Sequence, residues 1–129
     1  MLVQATFMTV AVLNGLAADN DLSLTQLRVL AILRDRRVRM STLAAYLGLD
    51  RSTMSGLVDR AEKRGLLARA PDPSDGRAVE VFLTRSGAEL ADTLYIRIER
   101  SLSPATGRLA PAERRRLAAL LRQMAGPEG

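Results

Sequence analysis

Residues 40–83 read MSTLAAYLGLDRSTMSGLVDRAEKRGLLARAPDPSDGRAVEVFL, and the fold turns on how the middle of that run is punctuated. Leu43, Ala44 and Leu47 share one face of a short helix, for which Ser41 is the expected N-cap. Gly48 stands where a helix closes in the left-handed region, which a residue without Cβ enters freely. Two residues on, Asp50 can accept from the free N–H groups of a second helix. The connection is therefore only Gly48-Leu49-Asp50, the length of the turn in a helix-turn-helix unit.

The second helix is expected from Arg51 to Arg64, stopping at Gly65. Met54, Leu57, Val58 and Ala61 fall at i, i+3, i+4 and i+7, a single apolar stripe. Opposite lie Ser52, Gly56, Asp59 and Lys63, flanked by Thr53, Ser55 and Arg60. Arg51, Ser52, Thr53 and Ser55 give this helix an N-terminal half suited to a DNA major groove. Small hydroxyls bond phosphates or base edges without blocking approach, and Arg can take guanine bidentately. Gly56 costs the helix about 1 kcal/mol against Ala. It has two readings: close approach of the backbone to a duplex, or drift on a solvated face.

Val79, Val81 and Leu83 alternate with Glu80 and Phe82 at the period of a strand, and Leu66 to Ala70 is the expected partner strand. The tip between them, Pro71-Asp72-Pro73-Ser74-Asp75-Gly76, is dense in turn formers, and Asp72 and Asp75 are read as turn residues. Arg69 and Arg77 flank it. An Arg on a rigid hairpin can enter a narrow minor groove, where the negative potential is enhanced. Elsewhere a charged hairpin tip is ordinarily a solvated loop; directly after a helix-turn-helix, it reads as a wing.

The run LAAYLGLDRSTMSGLVDRAEKRGLLARAPDPSDGRAVEVFLTRSG resembles the winged helix-turn-helix core of the MarR family of bacterial transcription regulators. The matching motifs are Leu57-Val58-Asp59-Arg60, Lys63-Arg64-Gly65-Leu66, and Asp75-Gly76-Arg77 with Leu83-Thr84 after it. The resemblance implies a mainly α fold with a small β-hairpin wing and a helical dimerisation layer. It also implies a homodimer on a pseudo-palindromic operator of double-stranded DNA, usually repressing and often released by a small-molecule effector. By the same resemblance Asp75 braces the wing and Arg77 enters the minor groove. Arg51, Ser52, Thr53, Ser55, Gly56 and Arg60 would then form the recognition surface, with Arg39, Thr42, Lys63 and Arg69 as candidate phosphate contacts.

Composition narrows the alternatives. At 129 residues the chain is expected to form one domain over 1–129, with a winged core at 22–84 and dimerisation helices at 1–18 and 86–126. Cysteine and histidine are both absent, which removes disulfides, thiol switches, the usual zinc sites and the commonest general base. No glycine-rich phosphate loop and no metal-ligand spacing occurs, so neither an enzyme nor a cofactor is expected, and the cytoplasm is the expected compartment. The net charge is +5, and residues 22–79 hold eleven Arg or Lys against six Asp or Glu, so the whole excess lies in the winged core. Attraction to phosphate accounts for that placement.

Outside the core, residues 1–18 carry no charged side chain. Gln4, Thr6, Thr9 and Asn14 argue against a membrane span, and no positive segment precedes the run as a secretory signal would need. A helix apolar all round is buried by something, and a partner subunit is the reading preferred. Ser23 and Gln26 have capping-box spacing, with Leu22 and Leu27 placed as a staple. Leu27, Leu30, Ala31 and Ile32 or Leu33 then give the buried face of a helix ending near Asp35. Arg34, Arg36, Arg37 and Arg39 form a basic cluster from which one or two phosphate contacts are expected, and Val38–Met40 a short strand. Thr84 is the expected cap of a long helix carrying Ala91, Leu94, Tyr95, Ile98 and Leu102, broken at Pro104 and Gly107. A last helix begins with Pro111 at N1 and carries Leu117, Leu120, Leu121 and Met124 on one side. Met8, Val12, Leu30, Leu94 and Tyr95 are candidates for an effector pocket, although ordinary core packing gives the same spacing. The alternative to an operator-binding regulator is a winged-helix module whose basic face meets an acidic protein.

Overall fold

A computed structural model describes residues 1–127; Glu128 and Gly129, the end of the single domain expected over 1–129, lie outside the described residues. The elements in order are α1 (Leu2–Asp19), α2 (Leu24–Leu33), β1 (Val38–Arg39), α3 (Met40–Leu47), α4 (Arg51–Lys63), β2 (Leu67–Pro71), β3 (Val79–Leu83), α5 (Arg85–Thr106) and α6 (Pro111–Ala125). The fold is mainly helical with one small antiparallel sheet in the order β1-β3-β2. The chain forms two compact units, Met1–Ile98 and Glu99 onward, and α5 runs through the boundary.

The first unit is built around the helix-turn-helix. Gly48 closes α3 at φ +65°, Asp50 caps α4 by accepting from the Thr53 N–H at 2.8 Å, and Gly65 leaves α4 at φ +72°. Met54, Leu57, Val58 and Ala61 are all buried, in the same core as Leu43 of α3, Leu27 and Leu30 of α2, and Val81 of the sheet. Each large side chain fully buried this way contributes about 1.5–3 kcal/mol, which holds α4 by one face and leaves the other free. The capping box at Ser23 and Gln26 is formed, and Leu22 and Leu27 both lie in the core.

β3 is the central strand. It pairs with β2 from Leu67↔Leu83 to Pro71↔Val79, and with β1 through Val38↔Val81 and Arg39↔Glu80. The wing strand thus starts one residue later than expected. Thr84 caps α5, its Oγ1 accepting from the Gly87 N–H at 3.1 Å and donating to the Gly65 carbonyl. A Cβ at Gly87 would stand 2.0 Å from the Leu66 carbonyl oxygen, so only glycine lets α5 begin this close to the end of α4.

Three expectations are corrected. Ser41 does not cap α3: β1 runs straight into that helix, leaving Arg39 at the N-cap without a side-chain capping bond, and Met40 is helix rather than strand. Ala31 is exposed and Val29 is buried instead, because α2 packs against neighbours on two sides. Pro104 does not break α5, which continues to Thr106. A helix proline leaves the carbonyl four residues back without its donor, and here the Ser103 hydroxyl donates to the Arg100 carbonyl at 2.9 Å. Along the α5 stripe Ala91 and Leu94 are buried and Tyr95 is 44% exposed.

In the second unit, Pro111 opens α6 at its first turn and the Glu113 carboxylate accepts from the Ala110 N–H at 2.8 Å. No α6 residue is buried, and Leu117, Leu121 and Met124 are exposed. In the first unit α1 is similar: only Leu16 and Ala17 are buried, while Leu2, Val3 and Phe7 face outward, Phe7 at 69%.

Candidate nucleic-acid interface

The N-terminal half of α4 and the wing face one another across a cleft of about 950 Å³. Its lining includes Arg39 and Ser41 at the start of α3, Arg51, Ser52 and Ser55 of α4, and Arg69 and Arg77 of the wing. Sequence-chosen residues from three separate stretches therefore meet on one surface. Thr53, Gly56, Arg60 and Lys63 lie on α4 outside this lining, as does Thr42 on α3.

The Asp50 carboxylate organises the first turn of α4. It accepts from the Thr53 N–H and from the Ser52 hydroxyl at 3.1 Å. The Thr53 bonds first, then Ser52, hold its carboxyl below the usual range, so it stays ionised against the positive end of the helix. Ser52 keeps its oxygen lone pairs for an outside donor. One turn on, a Cβ at Gly56 would meet only the Arg60 guanidinium, at 3.4 Å. Packing within the chain therefore does not require glycine there.

The cations sort into two sets. Arg34 pairs with Asp92 at 2.9 Å and lies over the Tyr95 ring at 4.0 Å. Arg36 donates to the Ile32 carbonyl and lies 5.4 Å over the Tyr46 ring. Arg37 lies 3.9 Å over the Phe82 ring, with Glu80 also at 3.9 Å. Arg39 pairs with Asp72 at 2.6 Å. Arg69 pairs with Glu62 at 2.9 Å and with Asp59, joining β2 to α4. By contrast the charged groups of Arg51, Arg60, Lys63 and Arg77 make no ion pair and no side-chain hydrogen bond among the described residues. The basic cluster before the helix-turn-helix, together with Arg69, is thus engaged within the chain.

The wing tip has a brace that the sequence reading missed. Asp72 is the one buried charged side chain among the described residues, at 7% exposure. It accepts from the Ser74 N–H at 2.8 Å, the Ser74 hydroxyl at 2.7 Å and the Arg39 guanidinium. Those bonds, the Ser74 hydroxyl foremost, hold its carboxyl down at about 2. Asp75 has a more local part, accepting from the Arg77 N–H at 3.1 Å within the turn. The Asp-Pro-Ser spacing signals an Asx turn; nothing along the sequence signals a partner 33 residues away.

A second hollow, of about 210 Å³, lies beside α2 and the first part of α5. It is lined by Leu30, Leu94 and Tyr95, among the candidate pocket residues, and by Arg34 and Ile98. Met8 and Val12 do not line it, since α1 meets the core through its C-terminal end, at Leu16 and Ala17.

A short helix, a tight glycine turn, a second helix with one buried face and a hairpin beside its free end define a winged helix-turn-helix DNA-binding protein. The MarR family model matches residues 20–78. The HTH-type transcriptional repressor NicR of Pseudomonas putida is 36% identical over 115 residues, which cover 88% of this chain and 73% of NicR. The uncharacterised regulator YfiV of Bacillus subtilis is 32% identical over 95 residues, and there the chain spans only 59% of the relative's length. Among solved structures, BpsR of Bordetella bronchiseptica superposes with a TM-score of 0.74 at 33% identity, covering 96% of this chain and 89% of BpsR. CouR of Rhodococcus jostii RHA1 superposes at 0.82 with 27% identity, covering 98% and 90%. The chain belongs to the MarR family of transcriptional regulators.

Proposed function

We propose that the chain acts in the cytoplasm as a homodimeric, sequence-specific repressor. In this reading α4 enters the major groove of a pseudo-palindromic operator and the wing enters the adjacent minor groove. One observation carries it: Arg51 and Arg77, both without an ion-pair partner among the described residues, line one cleft from its α4 and wing sides, with Ser52 and Ser55 beside Arg51 on α4. Arg51, Ser52, Thr53, Ser55 and Arg60 read the operator, Gly56 lets the helix backbone approach it, and Arg77 takes the minor groove. Lys63 and Thr42 contact phosphate. A dimer sets two such helices about 34–36 Å apart along the duplex.

The outward apolar residues of α1 and α6 support the dimer. By length and composition α1 is apolar enough to cross a membrane, yet Leu16 and Ala17 at its C-terminal end are built into the core of the winged unit. A second copy of the chain is the cover assigned here. Sedimentation in buffer without detergent should then give twice the mass of a single chain, and Phe7→Glu should shift the protein toward monomer.

The hollow beside Tyr95 supports an effector site for a small aromatic molecule. BpsR is regulated by 6-hydroxynicotinic acid and CouR was solved with p-coumaroyl-CoA, so a hydroxylated aromatic acid is the first compound to try.

The reading is tested by selecting duplexes from a random-sequence pool and titrating the best one at several salt concentrations. Counterion release makes affinity fall steeply with salt, by a log–log slope of roughly 0.9 per phosphate neutralised. A flat salt response, or no selected duplex, overturns it.

A further inference from the structure

Arg39 lies in the cleft and carries a positive charge, which by itself marks it for phosphate. Its guanidinium is already held, however, 2.6 Å from a carboxylate that is over nine-tenths buried. That carboxylate, Asp72, also takes both donors of Ser74, and its own N–H donates to the Ala78 carbonyl at 2.9 Å. Ala78 adjoins Arg77. Arg39 in turn is the last residue of β1 and the N-cap of α3, so no residue separates it from the helix-turn-helix.

We propose that Asp72 and Arg39 are positioning residues for DNA binding: their ion pair fixes the wing tip against the start of α3 and so sets the place of Arg77 relative to α4. Neither group contacts the duplex. The inference rests on the operator-binding reading and deepens it. The pair also orders the tip before DNA arrives, so less conformational freedom is lost on binding. A second tie, Arg69 to Asp59 and Glu62, holds the root of the same wing to α4. The wing is therefore fastened at both its root and its tip.

The sign of one substitution separates this role from a phosphate contact. Asp72→Asn removes a negative charge beside the DNA and frees Arg39. Simple electrostatics makes binding tighter, whereas a positioning role makes it weaker. The test uses the full chain and the duplex the wild-type protein selects from a random-sequence pool. Asp72→Asn and Arg39→Gln should each weaken binding at least tenfold, with loss of minor-groove protection in footprints and retention of major-groove protection. In an Arg77→Ala background Arg39→Gln should add no further loss, because the residue it places is gone; a phosphate contact gives additive losses. Should Asp72→Asn fail to fold, the Arg39→Gln and Arg77→Ala cycle decides alone, since it leaves Asp72 bonded to Ser74. Equal or tighter binding by Asp72→Asn, or additive losses in the cycle, overturns the proposal. Absence of any duplex bound by the wild-type protein overturns the operator reading itself, a distinguishable failure.

Discussion

Two groups of cations flank the same turn and have different fates. Arg34, Arg36, Arg37 and Arg39, ahead of the helix-turn-helix, each meet a carboxylate, a carbonyl or an aromatic ring of their own chain. Arg51, Arg60, Lys63 and Arg77, within and after it, meet none of these with their charged groups among the described residues. Along the sequence the first group is the denser, and density alone would make it the interface. Charge available to a partner is the charge left over after the chain has neutralised its own. For that reason the second group is the one proposed to meet DNA.

The contrast predicts a split between affinity and stability. Arg77→Ala should produce the largest effect, lowering operator affinity about 10- to 100-fold, the range for one Arg contact to a groove, with an unchanged melting temperature. An unaltered gel-shift midpoint at fixed salt would falsify its role in the wing. Lys63→Ala should weaken binding to all duplexes about equally and reduce the salt slope by ~1, checked by titration at four or more salt concentrations. Arg37→Ala should do the reverse. Loss of its contact with Phe82 costs about 0.5–1 kcal/mol, read as a fall in thermal midpoint, while duplex affinity stays within twofold. If Arg37→Ala cut affinity as deeply as Arg77→Ala, the division into two groups would not stand.

Gly56 sharpens the comparison from the backbone side. Because a Cβ there meets only the movable end of Arg60, Gly56→Ala should raise stability by up to about 1 kcal/mol. Against DNA the same methyl should weaken binding. A variant that is both more stable and an equally good binder would leave the glycine without a function. The smallest expected effect is the response of the Asp72 brace to pH. Its folded carboxyl sits at about 2 against an ordinary 3.8. The lowered value means that the brace's stabilisation is full above about 3.8 and is lost as pH falls through about 2. Following the Asp72 carboxyl carbon by NMR should show no titration between pH 7 and 4; a midpoint near the ordinary value would mean the brace is open in solution.

Local chemistry was legible and remote pairing was not. The extent of α4, its Asp50 cap, Gly48, Gly65 and the Ser23 capping box follow from signals within four residues, and the structure has all of them. The family resemblance extended that reading to the wing. The Arg39 and Arg34 pairs span 33 and 58 residues, and hydrophobic period tells which face of a helix is buried without telling what meets the other. Ser41 failed as a cap for the same reason, since pairing of β1 with β3 decides where α3 starts. Pro104 failed because a neighbouring hydroxyl takes the place of the missing donor.

Arg64, the C-cap of α4, donates to the Asn20 carbonyl at 3.0 Å and the Asp21 carbonyl at 2.7 Å. One guanidinium therefore latches the tail of α4 to the corner between α1 and α2. Any swivel of α4 must drag that corner along or unfasten the latch, so a disturbance at either end travels to the other across a single side chain.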